Sequence, residues 1–277
     1  MCRIFYALNQ PYLKSKIRHF FMQMPISPPS MDGYGLAAYN PATKKWRVYK
    51  TSKSPVDDRT ADKMTNDFAE YPLVIGHMRN AHIVDVPREV IDGQLKAKYE
   101  NSHPFYYKNQ VFLHNGRLVD AHLPAIRQWF QSNILPEYWS NIKGNTDSEC
   151  LFYLLLSTIK RREWIYKDID MIGDKGCDAP SKEHELRDAV LECFRLLDTK
   201  FHLYIANFIY ADKEYSVVGR LEKNATIKDR KTNTLWFSNK GNRILFSTEA
   251  IENGILLEWG HIYVIHNITG KYHNVHM

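Results

Sequence analysis

Cys2 stands one position after the initiator, and its type and place together permit a specific chemistry. Removal of Met1 would leave one residue carrying both a thiol and a free α-amine. Such an amine has an ordinary pKa of about 7.7–8.0, so part of it is neutral at working pH. It can take the thiol proton directly or through a water, which places nucleophile and base on one residue. Taken alone, a cysteine at that position means little, and the plainer reading is that it has no role. Further along, Leu113-His114-Asn115-Gly116 closes an apolar run. The Asn115 amide and the Gly116 N–H could meet a developing oxyanion, although Asn-Gly is also a common turn. In Gly76-His77-Met78-Arg79, Arg79 could hold a carboxylate bidentately or simply pair with a surface neighbour. His77 alternates with Met78 and reads as a hydrogen-bonded structural histidine rather than a base. Asp147, just inside a helix start, suits the helix dipole and could also oppose a ligand ammonium.

These side chains need a scaffold, and the pattern supplies one. Residues 3–8 read as a strand that begins at the terminus itself, and residues 35–40 and 46–50 as a hairpin. Residues 60–70 suit a short helix, 73–78 an apolar strand, and 111–115 a strand that ends in a turn at Asn115-Gly116. Thr146-Asp147-Ser148-Glu149 fits a capping box, with Thr146 as N-cap. The run from Cys150 to Ile159 is apolar nearly all round and predicts a buried helix. A second helix follows Pro180-Ser181 and runs to about Leu197. Strands are expected again over 201–210, 215–221, 234–237, 243–248 and 261–266. The polar stretch 83–102 reads as a loop with a short helix near Glu89. Strands, two helices, then strands predict an α+β layering with helices packed on sheets.

The bulk composition excludes several classes. Of 277 residues, 44% are hydrophobic and 25% charged, as in an ordinary globular chain with a substantial core. No apolar run approaches the roughly 18–20 residues of a membrane span, and the start lacks the apolar core of a secretory signal. A cytoplasmic chain is therefore expected, with no membrane partner. The net charge of +6 comes from scattered residues, with small clusters at Lys160-Arg161-Arg162 and 228–231, so no nucleic acid is expected as a partner. The four cysteines, Cys2, Cys150, Cys177 and Cys193, have no CxxC spacing, so a zinc or redox motif is not expected. Cys150 and Cys193 read as small buried hydrophobes and Cys177 as a loop thiol.

Six segments then occur in order: Cys2-Arg3-Ile4-Phe5, Asp32-Gly33-Tyr34-Gly35, Gly76-His77-Met78-Arg79, His103-Pro104-Phe105, Leu113-His114-Asn115-Gly116 and Gly144-Asn145-Thr146-Asp147-Ser148-Glu149. Together they resemble the ordered motifs of class II glutamine amidotransferases, which are N-terminal-nucleophile hydrolases. The likeness is dense over residues 2–160, and Phe246-Ser247-Thr248-Glu249 looks like a degenerate form of a later family strand, so a single domain over 2–277 is expected. The resemblance implies a four-layer αββα sandwich. It implies Cys2 as the nucleophile acting on a glutamine side-chain amide, with its own α-amine as base. It implies Asn115 and Gly116 as the oxyanion hole, Arg79 on the substrate α-carboxylate, Asp147 on the α-ammonium, and His103 at the substrate. No cofactor and no metal are implied.

The sequence departs from the family pattern in places. His82 stands where the family usually has Thr or Ser at a substrate-binding position. The interval from Arg79 to His103 is longer than usual, as if a loop covers the site or shapes the choice of acceptor. The length leaves no room for a synthase domain, which resembles small stand-alone relatives that cleave γ-glutamyl amide bonds in glutathione degradation and ergothioneine synthesis. The expected substrate is therefore glutamine or another γ-glutamyl compound. The alternatives are a glutaminase that supplies ammonia to a partner synthase, association with a peptidase subunit, and a catalytically silent binding module on the same scaffold.

Overall fold

The computed structural model describes residues 2–22, 32–80, 89–91, 94–96, 99–121, 123–172 and 181–277. Met1, His82 and Cys177, each singled out above, lie outside them. In chain order the elements are β1 (Arg3–Leu8), α1 (Leu13–Met22), β2 (Tyr34–Asn40), β3 (Lys45–Thr51), α2 (Ala61–Ala69), β4 (Leu73–Met78), β5 (Glu89–Ile91), β6 (Gln94–Lys96), β7 (Phe105–Tyr107) and β8 (Gln110–Leu118). Helices α3 (Pro124–Asn133), α4 (Pro136–Trp139), α5 (Asp147–Ile172) and α6 (Lys182–Lys200) follow. The chain then runs through β9 (Tyr204–Ala211), β10 (Tyr215–Lys223), α7 (Ile227–Thr232), β11 (Trp236–Lys240), β12 (Arg243–Ser247), β13 (Ile255–Leu256), β14 (His261–His266) and β15 (Tyr272–His276).

One sheet has the order β13-β11-β12-β1-β4-β2-β3 and the other β15-β14-β10-β9-β8-β7, with antiparallel pairing throughout. Side chains alternate across a strand, and β1 uses both faces. Ile4, Tyr6 and Leu8 join Ile75, Leu113, Ile209 and Val218 in the core between the sheets. Phe5 and Ala7 face the other way, against Ile17 and Phe20 of α1 and Phe68 of α2. The Phe5 and Phe20 rings meet edge to face at 4.7 Å. On the far side, α5 and α6 cover the second sheet, with Leu151, Leu155, Val190 and Phe194 packed on Phe112 and Phe208. The layers are thus helix, sheet, sheet, helix, as expected.

Most expected elements form, some with shifted ends. The run 111–115 belongs to a longer strand: β8 passes straight through Asn115-Gly116, because both residues pair with β9 instead of turning. The segment near Glu89 is not a helix; β5 pairs with β6 in a hairpin. Thr146 caps α5 by accepting the Glu149 N–H at 3.2 Å. Glu149 does not complete the capping box. Its carboxylate turns back to the Lys143 and Gly144 N–H groups at 3.1 and 2.7 Å. Helices α1 and α3 were not expected, since each is short and presents only one apolar stripe. Among the described residues no helix is long and apolar enough to cross a membrane.

A crossing segment links the two sheets near the site. The residues leading into β7 pass over the first sheet at Gly35, where any Cβ would run into the His103 carbonyl and the Pro104 ring. Lys50, paired with Gly35 across β2–β3, reaches the same segment and donates to the Ser102 carbonyl at 3.0 Å. Gly35→Ala is therefore expected to lower stability by about 1–3 kcal/mol through overpacking. A shift of the urea midpoint at constant slope would measure it.

Candidate active site

Cys2 sits immediately before the central strand of the first sheet, and both flanks hold the start of that strand. On the β12 side the Ile4 N–H donates to Thr248 Oγ1 at 3.1 Å, and the Thr248 N–H returns to the Ile4 carbonyl at 3.1 Å. Arg3 pairs with Glu249 at 2.7 Å. On the β4 side the Asn80 N–H donates to Cys2 Sγ at 3.3 Å. Desolvation pushes the thiol above its ordinary pKa, against the Asn80 N–H and the positive charge of Arg79, while Asp147 adds a smaller upward push. Burial thus favours the thiol over the thiolate at this position.

Arg79 follows the end of β4 and is buried. Its backbone is fixed on both sides: its N–H donates to the Gly33 carbonyl at 2.8 Å, and its carbonyl accepts the Asp32 N–H at 3.0 Å. The Asp32-Gly33 segment thus serves as the clamp that holds the arginine in place.

Asp147 opens α5. Its Oδ2 accepts the Leu118 N–H of β8 at 2.8 Å, and its Oδ1 accepts the Ser148 N–H at 2.8 Å. A carboxylate has about four acceptor positions, so room remains for a ligand ammonium. The loop before it is locked by a reciprocal amide pair. Asn101 Nδ2 donates to Asn145 Oδ1 at 2.7 Å, and the Asn145 N–H donates to Asn101 Oδ1 at 3.0 Å.

The bond from Leu118 to Asp147 also fixes the direction of the neighbouring amides. N–H groups alternate between the two edges of a strand. The Val119 N–H points to the β9 side, bonding the Leu203 carbonyl at 3.2 Å, and the Leu118 N–H points to the other edge. The Gly116 N–H, two residues earlier, leaves from the same edge as Leu118 and is not used by β9. Gly116 must lack a side chain, because a Cβ would collide with the Ile205 carbonyl. The Asn115 side chain alternates with Leu113, which lies in the core between the sheets, so it faces the gap toward the first sheet. Asp147, anchored at the end of β8, acts electrostatically on the Cys2 thiol together with Arg79. Cys2, Arg79 and Asp147 therefore converge, with Asn115 and Gly116 on the strand that carries the Asp147 anchor.

Three buried histidines back the site. The His77 and His103 rings stack at 4.0 Å, and His103 meets Phe105 edge to face at 4.5 Å. His114 Nε2 lies 3.2 Å from the Ile205 carbonyl and Nδ1 lies 2.9 Å from Ser148 Oγ. A carbonyl can only accept, so Nε2 carries the hydrogen and Nδ1 takes the Ser148 hydroxyl. Burial is the main force lowering all three pKa values, to about 3 for His77. His103 thus packs on His77, two residues before Arg79 in the chain.

Sequence reasoning missed three buried polar residues, Asn101, Asn207 and Arg220. A polar residue inside an otherwise apolar strand run was the available signal for the last two.

Two antiparallel sheets face to face between helix layers, with a cysteine at the head of the central strand, define a sandwich of the N-terminal-nucleophile amidotransferase type. The family model for Glutamine amidotransferases class-II matches residues 18–174, and the chain belongs to that family. The Saccharomyces cerevisiae protein named "Probable glutamine amidotransferase DUG3" is 38% identical over 76 residues, which are 27% of this chain and 20% of the yeast protein. The aligned part thus spans a fifth of that relative. A class-II glutamine aminotransferase domain protein from Silicibacter pomeroyi superposes with a TM-score of 0.59 at 17% identity, covering 100% of this chain and 99% of that one. The glutamine phosphoribosylpyrophosphate amidotransferase of B. subtilis gives 0.57 at 16% identity, covering 99% of this chain and 49% of that one.

The neutral buried histidines set a pH dependence. Their folded pKa values lie below the ordinary value of about 6.5, so the unfolded chain binds more protons in that interval. Stability is expected to be full above pH ~6.5 and to fall as pH drops from there toward 3. His77→Phe should flatten this slope in thermal unfolding; an unchanged slope would mean that other groups carry it.

Proposed function

We propose that this chain hydrolyses the γ-glutamyl amide bond of glutamine or a related γ-glutamyl compound, with Cys2 as nucleophile. The supporting observation is the pair of opposite charges, Arg79 and Asp147, that both act on the Cys2 thiol. An α-amino acid head carries the complementary pair, so its carboxylate would lie on Arg79 and its ammonium on Asp147. Such a head, extended by two methylenes, would bring a γ-carbonyl to the sulfur.

After removal of Met1, the Cys2 α-amine takes the thiol proton and the thiolate attacks the carbonyl carbon of the γ-amide. The Asn115 amide and the Gly116 N–H receive the oxyanion. Collapse of the tetrahedral intermediate expels the amine, which leaves with the proton from the α-ammonium, and a γ-glutamyl thioester remains. Water, deprotonated by the same α-amine, attacks the thioester and releases glutamate and the thiol. His103 supports the pocket through His77, and His82 stands close in sequence to Arg79 as a further substrate contact.

Cys2→Ala is expected to abolish glutamate release from glutamine, because no thioester can form. Protein that keeps Met1, verified by intact mass, should be inactive for lack of the base. Release that survives in Cys2→Ala would end this reading. Arg79→Lys should raise KM by roughly tenfold or more, since the ammonium cannot reproduce the bidentate fork. In steady-state assays kcat/KM should climb with pH as the α-ammonium, ordinarily titrating at about 7.7–8.0, loses its proton.

A further inference from the structure

Beside Asn115 the second sheet carries two buried polar side chains that the reaction above leaves unused. Asn115 on β8 is in register with Asn207 on β9, and Asn207 with Arg220 on β10. Directly opposed residues share a face. Asn207 alternates with Ile209 and Arg220 with Val218, both in the core between the sheets, so the row Asn115–Asn207–Arg220 points into the gap that holds Cys2. All three residues are buried.

Their hydrogen bonds show what each has left to offer. Arg220 Nη2 donates to the Asn233 carbonyl at 3.0 Å. Asn207 Nδ2 donates to the same carbonyl at 3.2 Å and to that of Thr234 at 3.4 Å. Both acceptors are carbonyls, so the amide cannot be turned round, and Asn207 Oδ1 faces away from them. That oxygen is buried without a hydrogen-bond partner, and so is Arg220 Nε. The guanidinium lies on the Trp259 ring at 4.2 Å. The nearest acid along β10, Glu222, is taken by Arg230 at 2.5 Å. Burial lowers the Arg220 pKa to about 10, and the Glu222 carboxylate on the same strand opposes that shift only in part.

The row also lies on a definite side of Cys2. Strand β1 runs between β4 and β12. Arg79 follows β4. On the other flank Thr234 Oγ1 donates to the carbonyl of Thr248, just beyond β12, and the Asn233 carbonyl next to it receives Arg220 and Asn207. A substrate whose glutamyl head rests on Arg79 must direct its leaving group toward the opposite flank.

Building on the γ-glutamyl reading, we infer that Asn207 and Arg220 form the leaving-group subsite and select γ-glutamyl amino acids or peptides, whose leaving group carries a carboxylate. Asn207 Oδ1 accepts the N–H of the scissile amide while Asn115 donates to its carbonyl. Arg220 receives the carboxylate of the departing residue. Glutamine itself, which loses ammonia, would leave the arginine without a ligand.

The test compares γ-glutamylglycine with γ-glutamylglycinamide, its near-isosteric neutral counterpart, using full-length protein freed of Met1. The wild type is expected to favour the carboxylate by roughly 10- to 100-fold in kcat/KM, the range of a charge-assisted hydrogen bond. In Arg220→Gln the ratio should collapse to about 1. A ratio is insensitive to how much enzyme is folded, which separates recognition from a structural role. Should Arg220→Gln not fold, Arg220→Lys should give an intermediate ratio, and an undiminished one would overturn the inference. A wild-type ratio of about 1, or one that Arg220→Gln preserves, overturns the subsite and leaves the Cys2 chemistry standing. Failure of the wild type to cleave either compound overturns the subsite, and failure to release glutamate from glutamine as well overturns the Cys2 reading.

Discussion

The pinning of the first residues of β1 is the constraint on which the rest depends. The first residues of a chain would ordinarily fray, because they lack neighbours on one side. Here the terminal residues enter the middle of a seven-stranded sheet. The strand is bonded to Thr248 on one flank and Asn80 on the other, and the Arg3–Glu249 pair closes the outer face. The hydrophobic clusters on both faces of β1 hold the strand from beneath and above. The core thereby fixes where the sulfur stands, and the cysteine needs no local structure of its own.

That placement puts polar chemistry at one end of a gap that is otherwise apolar. Tyr6, Ile75 and Ile209 fill the inner core, whereas Arg79 and the row Asn115, Asn207 and Arg220 are polar residues buried past the apolar positions Ile75, Leu113, Ile209 and Val218 of their strands. Burying charge is costly unless partners are supplied. The fold meets much of that cost through the backbone. Asp147 is bonded by two N–H groups, Glu149 by two more, and the Arg79 main chain by Asp32 and Gly33. Carboxylates and loops held in this way are in position before any substrate arrives, which is the basis of electrostatic preorganisation. The stacked histidines follow the same logic from the other side: kept neutral by burial, they fill space beside Arg79 without adding repulsion.

The balance at the sulfur follows from these neighbours. Desolvation favours the neutral thiol, and the Asn80 N–H and Arg79 favour the thiolate. Desolvation outweighs them and leaves the thiol above its ordinary pKa.

Much of this was legible in the sequence, for identifiable reasons. Period-two alternation and β-branched runs marked the strands, and the capping pattern at Thr146 marked the start of α5, because these are local effects of sterics and hydrogen bonding. The order of short motifs was enough to group Cys2, Arg79, Asn115, Gly116 and Asp147 as candidates. What local reading could not decide was register. Asn115-Gly116 looks like a turn until β9 is present to pair with it, and residues near Glu89 form a hairpin only with a partner strand. Nor could local reading show that Asn207 and Arg220, far along the chain, lie in one row with Asn115. Alternation tells which residues share a face of their own strand; only the packed sheets decide which strands lie side by side and at what offset, and that offset brings distant polar groups into one site.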